Sequence, residues 1–401
     1  MTQAPPELLI NLMDGSFYGG DPFPAFEWMR RKAPAYYDEA SDLWAIATYP
    51  EVKAAGSDPG TFSSAGGHRP KFPPLPMLID LDPPEHHQRR KLVASGFTPR
   101  RIQAMEDHVR AVCDEVIDSV CEQGSCDFVR DIAAPLPLTM IGDMLGVPPD
   151  GRGDLLRWSE EMLGSQGSLE PDALEVATRA FGEYQAYMEP ILDHRRSSGA
   201  DDDLVGILVH AEIDGDRLDQ ESLIMETLLI LVGGDETTRH VLSGGMLALQ
   251  ENPDQLERLR ARPKVPSAAV EEMLRWVSPI KDMTRSVTRD VDVRGVTIPA
   301  GSELLLLYPS ANRDESVFAR PDVFDVTRDP NPHLAFGFGA HFCLGNQLAR
   351  IELRVMFEQL LSRLPDLRLA GPGPYPLRKS NFISGIETMP VVFTPAPRQV
   401  R

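Results

Sequence analysis

The sequence predicts a mainly α-helical protein with a small β-rich part, and three observations carry that prediction. From about residue 84 to 280 the apolar residues recur with the 3.6-residue period of helices. Residues 284–308 change to the short runs of strands, "TRSVTRDVDV" and "SELLLLYPS". No Ser/Gly-rich linker or composition break divides the 401 residues. A single domain, 1–401, is therefore expected. Its β-rich part covers roughly 1–75, 284–335 and 366–401, and its helical part roughly 84–280 and 345–365.

Residues 1–75 are rich in Pro and Gly, and "LWAIATYPEV" fits a short strand and a short helix. "RRIQAMEDHVRAVCDEVIDSV", "LEVATRAFGEYQAYMEPILDHRR" and "ESLIMETLLILVGGDETTRHVLSGGMLALQ" each read as a helix. "VPSAAVEEMLRW" reads as another, with Ser267 as N-cap and Glu271 near its first turn. "RGVTIPAG" reads as a turn between strands, and 312–333 as a loop rich in Pro, Asp and Asn. A last long helix, "GNQLARIELRVMFEQLLSRL", follows a Gly-rich stretch, and the tail after Pro365 returns to short strands. The β-rich part is expected to draw its strands from both ends and from 284–308.

A hydrophobic fraction of 42% suffices for a large core. A net charge of −20 and a pI near 4.9 argue against nucleic acid and anionic membranes as partners, since both select a basic face. "MTQAPPELLINLMDG" lacks the basic and apolar regions of a secretion signal. The apolar run "LLILV" is far short of the roughly 20 residues that span a bilayer. A soluble, cytoplasmic protein without a stable membrane anchor is expected. Cys113, Cys121 and Cys126 fall in or beside a helical pattern and match no zinc spacing. They read as small packing residues.

Cys343 stands apart, inside "LAFGFGAHFCLGNQLAR". Gly337, Gly339 and Gly345 permit backbone angles and close approaches that a Cβ forbids. The stretch is no dinucleotide fingerprint, because Phe342 stands where a third glycine belongs, and it lacks the Lys and Ser/Thr of a P-loop. A cysteine at a helix N-terminus favours its thiolate. The dipole supplies only about 0.3–1 kcal/mol, less than the ~1.4 kcal/mol of one pKa unit. That cannot hold a charge among Phe336, Phe338, Phe342 and Leu344. A nucleophile would need a base, and His341, two residues away on an extended loop, points to a different side. A metal–thiolate loop is the better physical reading.

"FGFGAHFCLG" resembles the haem-binding loop of the cytochromes P-450, F-x-x-G-x-x-x-C-x-G, with Phe336, Gly339, Cys343 and Gly345 at the matching positions. The resemblance implies the cytochrome P-450 fold and haem b lying between a long distal helix and the cysteine loop. It also implies a Cys343 thiolate as axial iron ligand and His341 on a haem propionate. "LLILVGGDETTRH" resembles the family's distal-helix motif [A/G]-G-x-[D/E]-T, at Gly233, Gly234, Asp235, Glu236 and Thr237. Glycines would let that helix pass close over a flat cofactor, although a helix-packing notch is another reading of them. Thr237 can bond back to the Gly233 carbonyl, and the motif implies that Glu236 and Thr237 relay protons to dioxygen. Glu272 and Arg275 match the family's E-x-x-R pair. The later arginine that completes it is replaced by Val323, which leaves Arg320 or Arg328 as candidates. His86 and Arg90, four apart on one helix face, and Arg285 match further propionate-binding positions.

"MLIDLDPPEHHQRRKLV", "CDFVRDIAAPLPLTMIGDMLGVPP", "METLLILVGGDETTRHVLSGG" and "SGIETMPVVFTPAP" resemble one actinobacterial subgroup of that family. Its members oxidise the terminal methyl of the side chain of cholesterol and cholest-4-en-3-one. The resemblance implies that reaction, continued to the carboxylic acid, with O2 as cosubstrate and electrons from a ferredoxin and its reductase. It places Leu229, Val232, Gly233, Ile280, Phe382 and Ile383 on the substrate wall and Met77 and Leu78 at its entrance. Arg89, Arg90, Lys91, Arg100, Arg101, Arg350 and Arg354 form a local basic excess that would suit an acidic ferredoxin. Methyl-branched fatty acids or terpenoids are alternative substrates. A haem-binding sensor or carrier is the alternative of another class, and it would need no Glu236–Thr237 relay.

Overall fold

The computed structural model describes residues 4–165, 171–198, 203–213 and 215–399. Its amino-terminal part contributes strands β1 (Ala35–Asp38) and β2 (Leu43–Ile46), helix α1 (Tyr49–Ser57) and strand β3 (Phe62–Ser63). The helical part follows with α2 (Glu85–Ala94), α3 (Glu106–Val120), a strand β4 (Ser125–Asp127), α4 (Pro135–Met144), α5 (Arg152–Ser165) and α6 (Pro171–Ser198). Helices α7 (Gln220–Glu251) and α8 (Ser267–Val277) complete it. Then come β5 (Asp282–Val287), β6 (Val291–Val293), β7 (Val296–Ile298), β8 (Glu303–Leu307), helix α9 (Asn346–Arg363), and strands β9 (Arg368–Leu369) and β10 (Pro390–Val392).

The main sheet runs β1-β2-β8-β5-β3, with β8 antiparallel to β5 and parallel to β2. Leu304 to Leu307 are all fully buried, as a strand covered on both faces requires. The carboxy-terminal strands do not join this sheet. They form a second one, β9-β10-β4, by pairing with residues 125–127 between two helices. The expected single β-rich part is thus two larger sheets and a separate β6–β7 hairpin.

Three local expectations are corrected. "RGVTIPAG" is not merely a turn: Val296–Ile298 pairs with Val291–Val293 in a tight hairpin. Arg294 and Gly295 take the positive φ values, 51° and 82°, that a two-residue hairpin turn demands. The helix expected from "RRIQAMEDHVRAVCDEVIDSV" breaks at Met105 into Pro99–Ala104 and α3. Ser267 is the first residue of α8 rather than its cap, and Pro266 takes the cap position without a side-chain bond.

α7 organises the helical core. Asp219 caps it by accepting a hydrogen bond from the Ser222 N–H at 2.8 Å. Its 32 residues give it a length of about 48 Å. It packs against α4, α8 and α9, so apolar residues face several directions instead of one stripe. Gly234 permits the α4 contact, because a Cβ there would lie 2.4 Å from Ile141 Cδ1. Cys113 and Cys121 are buried packing residues and Cys126 is half-buried. Among the described residues, no helix is long and apolar enough to cross a membrane.

Candidate active site

A deep cavity lies between α7 and the loop 334–345. Glu226, Leu229, Ile230, Gly233, Gly234, Thr237, Thr238 and Val241 line it from α7. Their alternating spacing of three and one is a single helix face. Gly233 is open on this face, with no atom within 4 Å of where a Cβ would stand. Thr237 Oγ1 donates to the Gly233 carbonyl at 2.8 Å, as the sequence suggested. α7 nevertheless stays helical throughout.

The opposite wall is the cysteine loop. The Gly337 N–H donates to Leu334 O at 2.9 Å, closing a tight turn, and the Cys343 N–H donates to Phe336 O at 2.9 Å, closing the loop 336–343. Gly337 and Gly339 hold φ of 70° and 75°, in the left-handed region that suits glycine. Gly339 also abuts α1, where its Cβ would fall 1.9 Å from Gly56 O. Gly345 differs: its φ of −77° is ordinary and no atom lies within 4 Å of its would-be Cβ. Its small size serves the cavity, which it lines, and not the backbone.

Cys343 also lines the cavity and sits at the start of α9. Burial pushes its thiol up, against the Gly345 N–H, Arg90, Arg350 and the Asn346 N–H. The helix terminus therefore does not by itself secure the thiolate, and a cation bound at the sulfur would. Arg350, behind Phe336, holds Glu271 with two hydrogen bonds of 2.6 and 3.0 Å. That ties the loop to α8.

His86, Arg90, Arg285 and His341 converge from three separate stretches. Arg90, Arg285 and His341 line the cavity, and the His86 and His341 rings lie 4.2 Å apart. Arg90 donates to the Phe342 carbonyl, and Arg285 makes only a bond to Thr284 O. His341 Nε2 lies 3.1 Å from Ser64 Oγ. His86 is fully buried with neither ring nitrogen partnered. Burial, then Arg90, lowers its pKa to about 4, while burial, then Arg285, lowers that of His341 to about 3. Both rings are thus neutral beside two guanidinium groups. An orphaned buried imidazole next to two cations is the donor set for a group carrying carboxylates at one edge. Together with a cysteine at the base and an open glycine opposite, these residues fit a flat metal cofactor such as haem.

The network behind the loop is complete. Glu272 and Arg275 are fully buried and bonded through both carboxylate oxygens at 2.8 Å. Arg328 supplies the third member, with Nε 3.0 Å from Glu272 Oε2. Arg320 instead reaches Asp325 at 3.7 Å on the surface. Arg328 also donates to the carbonyls of Ala319, Arg320 and Val323, which organises the strandless 312–333 loop.

Glu236 does not line the cavity. Its Oε2 pairs with Arg239 and, at 2.8 Å, with Arg378. Burial alone would raise its pKa, but His240, Arg239 and Arg378 hold it low. Neighbouring Asp235 has neither oxygen bonded, and burial, then the Glu236 charge, raises its pKa. The Glu236 carboxylate and the Thr237 hydroxyl, adjacent in sequence, therefore serve different surroundings.

Of the expected substrate wall, Leu229, Gly233, Ile280 and Leu78 line the cavity. Val232, Phe382, Ile383 and Met77 are not among its lining residues. Ile383 bridges to Ile280 on the backbone, and Phe382 stacks under Arg69 at 4.5 Å. Val232 packs at the junction of the helical and sheet cores, and Met77 is buried. The basic excess is smaller than the sequence implied. Arg89 pairs with Glu226, Arg350 with Glu271, and Arg354 with Glu106 and Glu358, while Lys91 and Arg100 are exposed. Sequence reasoning missed two cavity carboxyls, Glu226 and Glu352. Both stand on apolar helix faces, which was the available signal.

Comparisons with known proteins agree with this geometry. Residues 264–365 match the family model "Cytochrome P450". The chain is 50% identical to a "Steroid C26-monooxygenase" of Mycobacterium tuberculosis over 400 residues, covering 99% of each. It is 48% identical to one of Mycolicibacterium smegmatis, again over 99% of each. Among solved structures, it matches CYP109E1 from Bacillus megaterium in complex with testosterone. There the TM-score is 0.86 at 31% identity, covering 94% of this chain and 98% of that one.

Proposed function

The chain belongs to the cytochrome P-450 family, and on that premise we propose that it hydroxylates the terminal side-chain methyl of a steroid, at C26. The observation that carries the monooxygenase class is one cavity joining Cys343, the open Gly233–Thr237 face and, at one edge, Arg90, Arg285 and His341, with the His86 ring 4.2 Å from that of His341. The steroid rests on full-length identity of about half to steroid C26-monooxygenases. Cholesterol and cholest-4-en-3-one are the proposed substrates, with oxidation continuing to the carboxylic acid. Residues 1–401 act as one catalytic unit in this reading.

Family members bind haem b through a cysteine thiolate. Here Cys343 would hold the iron, and Arg90, Arg285, His86 and His341 would hold the two carboxylates. When bound, that group supplies the activation of O2 for insertion into a C–H bond. The chain's own contribution is threefold. Leu78, Ile79, Leu229, Ile230 and Ile280 present apolar walls that hold a steroid and exclude water. A ligand of about 28 heavy atoms at roughly 0.3 kcal/mol each gains about 8 kcal/mol, a micromolar Kd. Thr237, its proton committed to Gly233 O, turns its lone pairs to the cavity and can hold a proton-bearing water there. Glu236 would join that relay by leaving Arg239 and Arg378. A ferredoxin and its reductase are the proposed electron source.

The test is the visible spectrum of the reduced, CO-bound protein, followed by titration with cholest-4-en-3-one. The expected results are a thiolate-type Soret band, absent in Cys343→Ala, and a high-spin shift with cholestenone but not with a steroid lacking the side chain. A band that survives Cys343→Ala refutes the ligand. A tight shift with branched fatty acids and none with cholestenone refutes the steroid.

A further inference from the structure

Glu226 is fully buried on the cavity face of α7, among Leu78, Ile79, Leu229 and Ile230. Its Oε1 accepts two hydrogen bonds, from the Leu78 N–H at 2.8 Å and from Arg89 Nη1 at 3.1 Å. Its Oε2 has no partner. Arg89 Nη1 also reaches the Pro76 carbonyl at 3.3 Å. One carboxylate and one guanidinium thus join three elements: α7, α2 and the segment 76–79. That segment lies over the cavity, which Leu78 and Ile79 line. A leucine would be the inexpensive choice at this helix position, because a half-satisfied buried carboxylate is costly.

The other end of the segment is held separately. Asp80 accepts from the Leu75 N–H at 2.8 Å and pairs with His68 at 2.8 Å. Residues 76–79 therefore form a strap fixed at Asp80 and clamped at Glu226. Arg89 also lines a second, polar pocket with Glu85, Asp216, Arg217 and Asp219.

We propose that Glu226 is a positioning residue that, with Arg89, pins the 76–79 strap to α7 and sets the rate at which substrates enter and leave the cavity. The inference deepens the monooxygenase reading and rests on it for the identity of the cavity. Burial, opposed by Arg89 and the Leu78 N–H, raises the Glu226 pKa to about 7. Arg89 is the charged group set against the carboxylate. Asp80 on the strap is engaged by His68, and Asp219 at the start of α7 lies on the Arg89 side. Above that pKa the ion pair is formed. Below it the carboxyl is neutral, the ion pair is lost, and the strap is held only by hydrogen bonds from the Leu78 N–H and the Arg89 guanidinium.

The experiment uses the haem-loaded enzyme and two probes by stopped flow: 4-phenylimidazole, which binds haem iron without requiring a steroid site, and cholest-4-en-3-one. A hydrogen bond to a charged group is worth roughly a tenfold to a hundredfold change in an equilibrium. Glu226→Gln and Arg89→Met should each raise both association and dissociation of 4-phenylimidazole about tenfold or more, with little change in Kd. Their effects should not add in the double variant. Backbone hydrogen exchange at 77–79 should quicken in both, at unchanged exchange in α9. Wild-type exchange of the probe should speed up as pH falls from about 8 to 6, and Glu226→Gln should be flat. If Glu226→Gln does not fold, Arg89→Met carries the same expectations. Wild-type probe kinetics and strap exchange in the variants would overturn the proposal. If the probe behaves as expected while cholestenone gives no spectral shift in any form, the clamp stands and the steroid assignment fails.

Discussion

Two glycines of the cysteine loop should respond oppositely to the same substitution. Gly339 has φ of 75°, and a Cβ there would stand 1.9 Å from Gly56 O and 2.8 Å from Gly56 C, both backbone atoms that cannot turn aside. The left-handed conformation costs an L-residue about 1–2 kcal/mol. Forcing a methyl into packed backbone costs roughly 1–3 kcal/mol more. Gly339→Ala should therefore destabilise the chain by about 2–5 kcal/mol, a large share of the ~5–15 kcal/mol typical of a folded protein. Gly345 has φ of −77° and nothing within 4 Å. Gly345→Ala should change the haem-free protein by no more than about 0.5 kcal/mol and act only when the cofactor is loaded. The assay is denaturant unfolding of both variants, haem-free and haem-loaded, alongside the CO-bound spectrum. Equal unfolding midpoints for Gly339→Ala and wild type would refute the steric argument. A haem-free Gly345→Ala as unstable as Gly339→Ala would refute the assignment of Gly345 to the cavity.

Thr237→Ala should leave haem and steroid binding intact but divert reducing equivalents to peroxide or water, and unchanged product yield per electron would remove the hydroxyl from proton delivery. Arg328→Met leaves Glu272 with Arg275 and Asn331 but removes one donor from each of three loop carbonyls, of which Arg320 O and Val323 O keep another. It should cost about 2–4 kcal/mol and quicken hydrogen exchange over 312–333, and a silent substitution would show that Arg275 suffices. Burial would raise the Glu271 pKa, but His333 and Arg350 hold it down to about 2. A depressed carboxyl stabilises above its unfolded value of 4.5 and loses that contribution as pH falls toward 2. Glu271→Gln should therefore flatten the loss of stability between those pH values, a slope read by unfolding at each pH. Ferredoxin-driven turnover should slow with ionic strength, but modestly, because Arg89, Arg350 and Arg354 are spent on internal ion pairs.

The helices were legible because long periodic segments leave little choice of structure, and α7 and α9 fall where the apolar pattern placed them. The strands were less so. "VTIP" carries too few residues to show alternation, and β4 has three residues whose partner lies more than 260 positions away. The chemistry-bearing loop was legible because a cysteine among glycines and phenylalanines has few physical explanations. The cavity wall was not. An apolar side chain facing a ligand and one facing the core look alike in sequence, so Leu229 and Val232 were indistinguishable there. The third member of the Glu272 network could not be chosen either. Arg320 and Arg328 are both plausible by spacing, and only the path of an irregular loop brings one of them to the carboxylate.

The distribution of charge gives the cavity its selectivity. The chain carries 60 acidic residues against 40 basic ones, yet the cavity is not anionic in character. Its own carboxyls, Glu226 and Glu352, have pKa values raised to about 7 and about 8, chiefly by burial, so they hold protons at or below neutral pH. Glu236 keeps its charge, but on the far side of α7, where Arg239 and Arg378 meet it. Arg90 and Arg285 remain charged on the cavity edge, beside two imidazoles that burial keeps neutral. The interior therefore presents fixed positive charge at one edge, apolar walls above and a thiol that cannot ionise unaided below. A group that brings two carboxylates to that edge and a cation to the thiol satisfies all three at once. A neutral apolar molecule without them would leave the buried Arg285 and the half-buried Arg90 without a counter-charge. The pocket is thus built to load its cofactor first and its apolar substrate second. Removing Arg90 and Arg285 together should abolish cofactor retention before it weakens steroid binding, a sequence that parallel titrations with haem and with cholestenone would expose.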